Sequence, residues 1–336
     1  MVKYILVTGG LGYIGSHTVV KLIEFGYEVI IVDNLANSKL YVLDRITKIT
    51  GKTPRFYKYD LMNIQQIESL FHDIYAEGNT ISNVIHFAGY KAVGESVNMP
   101  IFYYDNNINM TLNLVKIMLK YNSNNLIFSS SCTVYGSALL PLTETSQTGI
   151  GITNPYGRSK FIIEEMLKDI VIANSDFSVT LLRYFNPIGC HSSGLIGEDP
   201  NGIPTCLFPY ILRTAIGQYD KINIFGSDYA TRDGTCIRDY IHVVDLADGH
   251  IVALNLPKGV HTYNLGTGNG STVLEVIKTF EEVNKVKLNY EFTERRTGDL
   301  PESYANANKA YLELDWKAKL SLEDMCKDGW GFIRSF

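Results

Sequence analysis

Tyr156 and Lys160 stand four positions apart in NPYGRSK, a spacing that puts two side chains one turn apart on the same face of a helix. A phenol has a pKa of about 10 and is a poor base at neutral pH, but a neighbouring cation stabilises the phenolate. The chain contains 22 tyrosines, and this is its only Tyr-x-x-x-Lys, so the pair has to be judged by its setting. Pro155 precedes it, at a first helical turn where a missing N–H costs nothing. Upstream, NLIFSSS reads as a strand ending in Ser129, Ser130 and Ser131, and an α/β sheet presents its chemistry at the carboxyl ends of its strands. A phenolate held by Lys160, with the Ser131 hydroxyl on the reacting oxygen, could take the proton of an alcohol while hydride leaves the same carbon.

A hydride needs an acceptor, and residues 8 to 15, TGGLGYIG, suggest one. Gly9, Gly12 and Gly15 are spaced as GxxGxxG between an apolar run and an amphipathic stretch. Glycines there allow a tight turn and close approach of a pyrophosphate, and the helix that follows offers N–H donors. Asp33 ends the next apolar run, eighteen residues past Gly15, where a carboxylate accepts both ribose hydroxyls of an adenosine and repels a 2′-phosphate. With no arginine beside it, NAD is expected rather than NADP. Asp60, in YKYDLMN, reads as the end of the third strand and serves equally as an adenine-side contact or as a helix N-cap.

These residues require elements to carry them. KYILVTG, EVIIVDN, RFYKYDL, NVIHFAG, NLIFSSS and VTLLRYF have the length of buried parallel strands, and helical stretches such as NIQQIESLFHDIYAEG separate them. Alternation of this kind predicts an α/β fold with right-handed crossovers, a doubly wound parallel sheet over residues 1–185. After Asn186 the Gly, Pro, Ser and Asp-rich NPIGCHSSGLIGEDPNGIP reads as loop, and a smaller C-terminal α/β substrate-binding lobe is expected over residues 186–336, with some crossing back.

Composition narrows the partners. At 336 residues, 46% of them hydrophobic, the chain can build its core without staples. A net charge of −5 draws it toward neither nucleic acid nor an anionic membrane, which leaves a small molecule. The N-terminal apolar run turns straight into glycines, unlike a signal peptide, and no later segment has the length of a membrane span. Five scattered cysteines without a C-x-x-C pair read as reduced thiols. No metal site and a cytoplasmic protein are therefore expected.

Taken together, TGGLGYIGSH, VDNLANS, HFAGYKAVGES, YYDNNINMT, FSSSCTVYG, NPYGRSK, LLRYFNPIG, GEDPNGIP, RDYIHVVDLADG, YNLGTG and RRTGDLPESYAN resemble the UDP-glucose 4-epimerase family, within the extended short-chain dehydrogenases/reductases. The resemblance runs from residue 2 to about residue 330, and its second-half motifs are the specific ones. It implies a Rossmann-type NAD domain and inversion at C4 of a UDP-hexose by oxidation, turning of the 4-keto sugar and re-reduction. It implies Tyr156 as base and acid, Lys160 as its tuner and ribose contact, and Ser131 as helper. Tyr13, Ile14, Asp33, Asn34, Asn37, Ser38, Asp60, Phe87, Lys91, Asn106 and Tyr184 match cofactor-contacting positions of the family. Asn186, Leu207, Phe225, Arg238, Arg296 and Asp299 match its sugar-nucleotide positions, and a homodimer is implied.

Two departures stand out. Thr205 and Cys206 replace the family's usual Asn-Asn after GIP. Ser303 stands where bulk limits the family's sugar pocket, which predicts room for the 2-acetamido group of UDP-GlcNAc and UDP-GalNAc. A nucleotide-sugar 4,6-dehydratase and a non-catalytic NAD-binding sensor remain alternatives. The first would need an acid and a base where Cys132 and Thr133 stand.

Overall fold

β1 (Lys3–Thr8) leads directly into the glycine loop, and every residue of the strand after Lys3 is buried. In this computed structural model, which describes every residue except Thr297, the chain continues through α1 (Tyr13–Glu24), β2 (Glu28–Val32), α2 (Tyr41–Thr50), β3 (Arg55–Tyr57), α3 (Ile64–Ala76) and β4 (Thr80–His86). Then follow α4 (Val93–Asn98), α5 (Pro100–Lys120), β5 (Asn125–Ser131), α6 (Pro155–Ala173) and β6 (Ser178–Tyr184). The rest comprises β7 (Asn186–Ile188), α7 (Leu207–Ala215), β8 (Ile222–Phe225), β9 (Ile237–His242), α8 (Val243–Val252), β10 (Val260–Leu265) and β11 (Gly270–Thr272). α9 (Val273–Asn284), β12 (Tyr290–Thr293), β13 (Glu302–Ser303), α10 (Asn308–Leu314) and α11 (Leu322–Ile333) complete it.

Two compact units emerge. The first holds residues 1–136, 147–183 and 250–263, and the second residues 137–146, 184–249 and 264–336. In the first, seven strands lie in the order β10-β6-β5-β4-β1-β2-β3, with β1 parallel to both β2 and β4, β2 to β3, and β4 to β5. The order reverses between β1 and β4, the switch point where a doubly wound sheet binds its ligand. Phe71, Leu114, Phe128, Leu167 and Phe177 pack in its core, each such side chain contributing about 1.5–3 kcal/mol through burial.

Two sequence expectations need correcting here. HTYNLGT, inside the 186–336 span expected for the smaller lobe, forms β10 at the edge of the seven-stranded sheet, next to β6; β-branched and aromatic content identifies a strand but not its neighbour. β3 ends at Tyr57, so Asp60 lies in the turn beyond it, and the N-cap of α3 is Asn63, whose side chain accepts from the Gln66 amide.

In the second unit β9 pairs antiparallel with β11 and parallel with β13 and β7, while β8 and β12 form a parallel pair. Phe208, Ile211, Ile224, Ile277 and Phe280 lie in its core. α9 and α11 both open with capping boxes, Thr272 with Glu275 and Ser321 with Asp324, which satisfy amides that a helix start leaves without partners. Among the described residues no helix is long and apolar enough to cross a membrane, and no cluster of His, Cys, Asp and Glu is placed to hold a metal.

Candidate active site

The glycine loop is tight enough to explain its composition. Gly9 has φ +68°, and a Cβ there would lie 2.8 Å from the Ala88 amide nitrogen. A Cβ on Gly15 would fall 2.2 Å from the Gly9 carbonyl oxygen, so a side chain at either place cannot be accommodated without moving the loop. Gly12 is the N-cap of α1 and supplies no side-chain acceptor, which leaves the start of a helix, at Tyr13, Ile14 and Gly15, without the usual cap and suited to an anion.

Asp33, largely buried, follows β2 at the mouth of this loop. Its Oδ2 accepts from the Leu11 amide at 3.1 Å, and its Oδ1 from the Leu35 amide at 2.9 Å and the Ser38 hydroxyl at 2.6 Å. Asn34 donates to Asp60 at 3.2 Å. Asp33, Asn34, Ser38 and Asp60 are thus drawn together, and Asn37 lies exposed in the same β2–α2 connection. Lys91 places its ammonium 5.9 Å from the Tyr13 ring. Phe87 packs against His250 at 4.8 Å, and Asn106 donates to Asn107 at 3.1 Å. Tyr184, the last residue of β6, falls in the second unit. The glycine cradle and the carboxylate beside it fit the diphosphate and ribose of a dinucleotide.

Ser131 ends β5, and Tyr156 is the second residue of α6, whose N-cap Asn154 accepts from the Gly157 amide at 2.8 Å. Lys160, one turn on, is buried; its Nζ donates to the Ser129 carbonyl at 2.6 Å and lies 6.0 Å from the centre of the Tyr156 ring. The cation is therefore within electrostatic range of the phenol. Burial pushes the Lys160 pKa down to about 7, with the Glu164 carboxylate acting the other way. Glu164, one further turn along, is fully buried and bound to Arg183 of β6 through Nε at 3.0 Å and Nη2 at 2.6 Å. The Ser130 hydroxyl also donates to it, and Arg183 reaches the Tyr135 hydroxyl at 3.0 Å.

Beneath them His86 is held neutral. Burial foremost, and then the charge of Lys160, push its pKa down to about 3. Thr111 donates its own proton to the Asn107 carbonyl, so His86 Nε2 donates to Thr111 at 3.0 Å and Nδ1 accepts from Thr8 at 2.7 Å.

The sugar-nucleotide candidates belong to the second unit. Arg238 of β9 faces Asp299 at 3.5 Å and is the register partner of Ser303 on β13. Arg296 stacks its guanidinium 3.9 Å from the centre of the Phe225 ring. Asn186 opens β7, in register with Tyr240 of β9, and Leu207 opens α7. Cys206 is the N-cap of α7 and makes no side-chain cap bond; an asparagine there would. Asp239, beside Arg238, is buried with four donors on its carboxylate: the amides of Thr267, Gly268 and Ala305 and the Thr267 hydroxyl. It pins the strand that carries Arg238.

Residues 5–266 match the model of the NAD dependent epimerase/dehydratase family. The chain belongs to that family. Among curated members, the UDP-glucose 4-epimerase of Pasteurella multocida is 53% identical over 97% of this chain and 96% of its own length, and that of Haemophilus influenzae is 52% identical over 98% and 97%. A solved family structure, the UDP-glucose 4-epimerase of Bifidobacterium longum with NAD+ and UDP, superposes with a TM-score of 0.95 at 48% identity, covering 99% of this chain and 98% of that one.

For a member of the NAD dependent epimerase/dehydratase family, the fold adds groups that motif reading passed over: Glu164, Arg183, His86 and Asp239. One had a sequence signal. Glu164 stands four residues after Lys160, the spacing that first drew Lys160 to Tyr156. The partners of the others come from distant elements, and no local pattern announces them.

Proposed function

We propose that the chain interconverts UDP-galactose and UDP-glucose. The observation that carries the reading is that Lys160 lies 6.0 Å from the centre of the Tyr156 ring at the start of α6 and donates to Ser129 near the end of β5, the strand that Ser131 closes, in the same unit as the glycine cradle and Asp33. When bound, NAD would supply the site with a reversible hydride acceptor for C4 of the hexose. Gly9, Gly12, Tyr13, Ile14 and Gly15 would hold its diphosphate and Asp33, Asn34, Asn37 and Ser38 its adenosine ribose, with Asp60, Phe87, Lys91, Asn106 and Tyr184 completing the contacts. Tyr156 removes and restores the hydroxyl proton, Lys160 supports the phenolate by charge, and Ser131 hydrogen-bonds the oxygen.

Inversion requires the oxidised sugar to turn over, so the chain must grip the nucleotide firmly and the sugar loosely. Arg238 and Arg296 are suited to the diphosphate, as planar donors that pair with its oxygens, with Asn186, Leu207, Phe225 and Asp299 around the nucleotide. Incubation with UDP-galactose tests the reading: mass spectrometry should find an unchanged mass, a coupled assay should find UDP-glucose, and denatured protein should release NAD. Loss of water would instead identify a dehydratase, and no conversion would identify a sensor; either overturns it.

The small side chain of Ser303 supports a wider range, with UDP-GlcNAc and UDP-GalNAc also interconverted. Ser303→Tyr should cut turnover of the acetylated pair by at least roughly tenfold while sparing the plain pair, because bulk discriminates by steric exclusion. A parent enzyme inactive on UDP-GlcNAc, or a variant with both activities unchanged, refutes this.

The helices α5 and α6 pack together and leave Ile101 and Ile172 82% and 83% exposed, which supports a homodimer through this face. Light scattering should give twice the 37.7 kDa of one chain; a monomer at micromolar concentration would rule the dimer out. All five cysteines are thiols rather than disulfide halves, which supports a cytoplasmic location.

A further inference from the structure

A hydroxyl oxygen has one proton to give and two lone pairs to offer. Both lone pairs of Ser131 are taken. Its Oγ accepts from the Thr133 amide at 3.2 Å and from the Thr133 hydroxyl at 2.9 Å, and the second contact is directional, with Thr133 as the donor. The single remaining tetrahedral direction on Oγ belongs to the Ser131 proton. A serine held in this way can only donate, which is what the oxygen of a carbinol losing its own proton requires.

The side chain that imposes this is itself held in place by an absence. Gly157 follows Tyr156, and a Cβ built on it would lie 3.0 Å from Thr133 Cβ and 3.1 Å from Thr133 Oγ1. Glycine inside a helix costs about 0.5–1 kcal/mol relative to alanine. Its φ is ordinary here, since Gly157 is not among the glycines with positive φ. The backbone conformation therefore does not require glycine; the space is occupied by Thr133 on one side and by Ile152, whose Cγ2 would lie 3.0 Å from the same Cβ, on another. Through this contact the residue after Tyr156 touches the residue that orients Ser131.

We propose that Thr133 is a positioning residue for the reaction, fixing the Ser131 hydroxyl as a donor toward the hexose oxygen, and that Gly157 is small so that Thr133 can do so. The proposal rests on the role given to Ser131 above and extends it to the neighbour that bonds its hydroxyl.

A double-mutant cycle on the NAD-loaded enzyme tests it. Thr133→Val keeps the β-branched shape and the backbone amide but removes the hydroxyl. It should lower kcat for UDP-galactose about tenfold with KM within about twofold, since misdirecting a reacting group costs rate rather than affinity. Thr133→Ser should restore the parent kcat. Ser131→Ala should lose roughly 10²-fold, and adding Thr133→Val to it should cost less than about twofold more, because two residues acting through one group are not additive. Thermal unfolding of each variant accompanies the kinetics.

Losses that multiply, or a valine variant at the parent rate beside a crippled Ser131→Ala, overturn the proposal while leaving Ser131 its role. A Thr133→Ser variant that folds like the parent but stays as slow as the valine also overturns it. A fully active Ser131→Ala overturns both this proposal and the role of Ser131.

Discussion

Tyr156→Phe is expected to lower kcat for UDP-galactose by roughly 10²–10⁴-fold, the span of a lost general base, with KM and bound NAD near the parent values. The substitution removes one oxygen and nothing else. Phenylalanine keeps the ring at the second position of α6, and the cap by Asn154 and the anchoring of Lys160 to the Ser129 carbonyl involve other atoms. The helix cap and the Lys160 anchor therefore keep their bonds, while the phenol oxygen beside Lys160 is gone. Ser131 cannot take over, because its oxygen is already an acceptor twice from Thr133. A coupled assay measures the rate, and chromatography of the nucleotide released on denaturation measures the NAD. Parent-like turnover would remove the basis of the mechanism, and a variant that had lost its NAD would move the role of Tyr156 from chemistry to binding.

The sequence disclosed these groups unevenly, for physical reasons. Strands buried on both faces announce themselves as apolar runs, so β1, β2, β4, β5 and β6 were legible, as was the loop between β1 and α1, where backbone geometry dictates glycine. Tyr156 and Lys160 were legible because a helix converts a spacing into a shared face. β9 and β13 were not: Ile237–His242 carries Arg238, Asp239 and His242 among its six residues, and a strand that buries a carboxylate on backbone amides has no apolar signature. The partners of Glu164 were hidden in the same way, since Arg183 and Ser130 lie nineteen and thirty-four residues away. Local pattern reports what a single element does; it is silent where long-range contacts supply the partner.

That buried ion pair sets up the second large effect. Glu164→Gln is expected to destabilise the fold by about 3–5 kcal/mol, because Arg183 would be left charged and buried without its counter-charge. Side chains in this pair are 3% and 0% exposed, so water cannot take over. Glu164 also raises the pKa of Lys160 against the burial that depresses it, and removing the carboxylate must lower it further. Lys160 carries its charge below that pKa and loses it as pH rises through it, so support for the phenolate ends sooner and the alkaline limb of the kcat profile should move to lower pH. The sign for stability is opposite: between about 7 and the ordinary 10.5 the unfolded chain binds the extra proton, so this group makes the fold more stable as pH rises. The double variant Glu164→Gln/Arg183→Met separates the two roles. Removing both charges should return most of the stability, measured by denaturant unfolding, yet leave the alkaline limb displaced, because nothing has replaced the carboxylate one turn from Lys160. A parent-like pH profile in the stable double variant would mean that Glu164 is there only to neutralise Arg183.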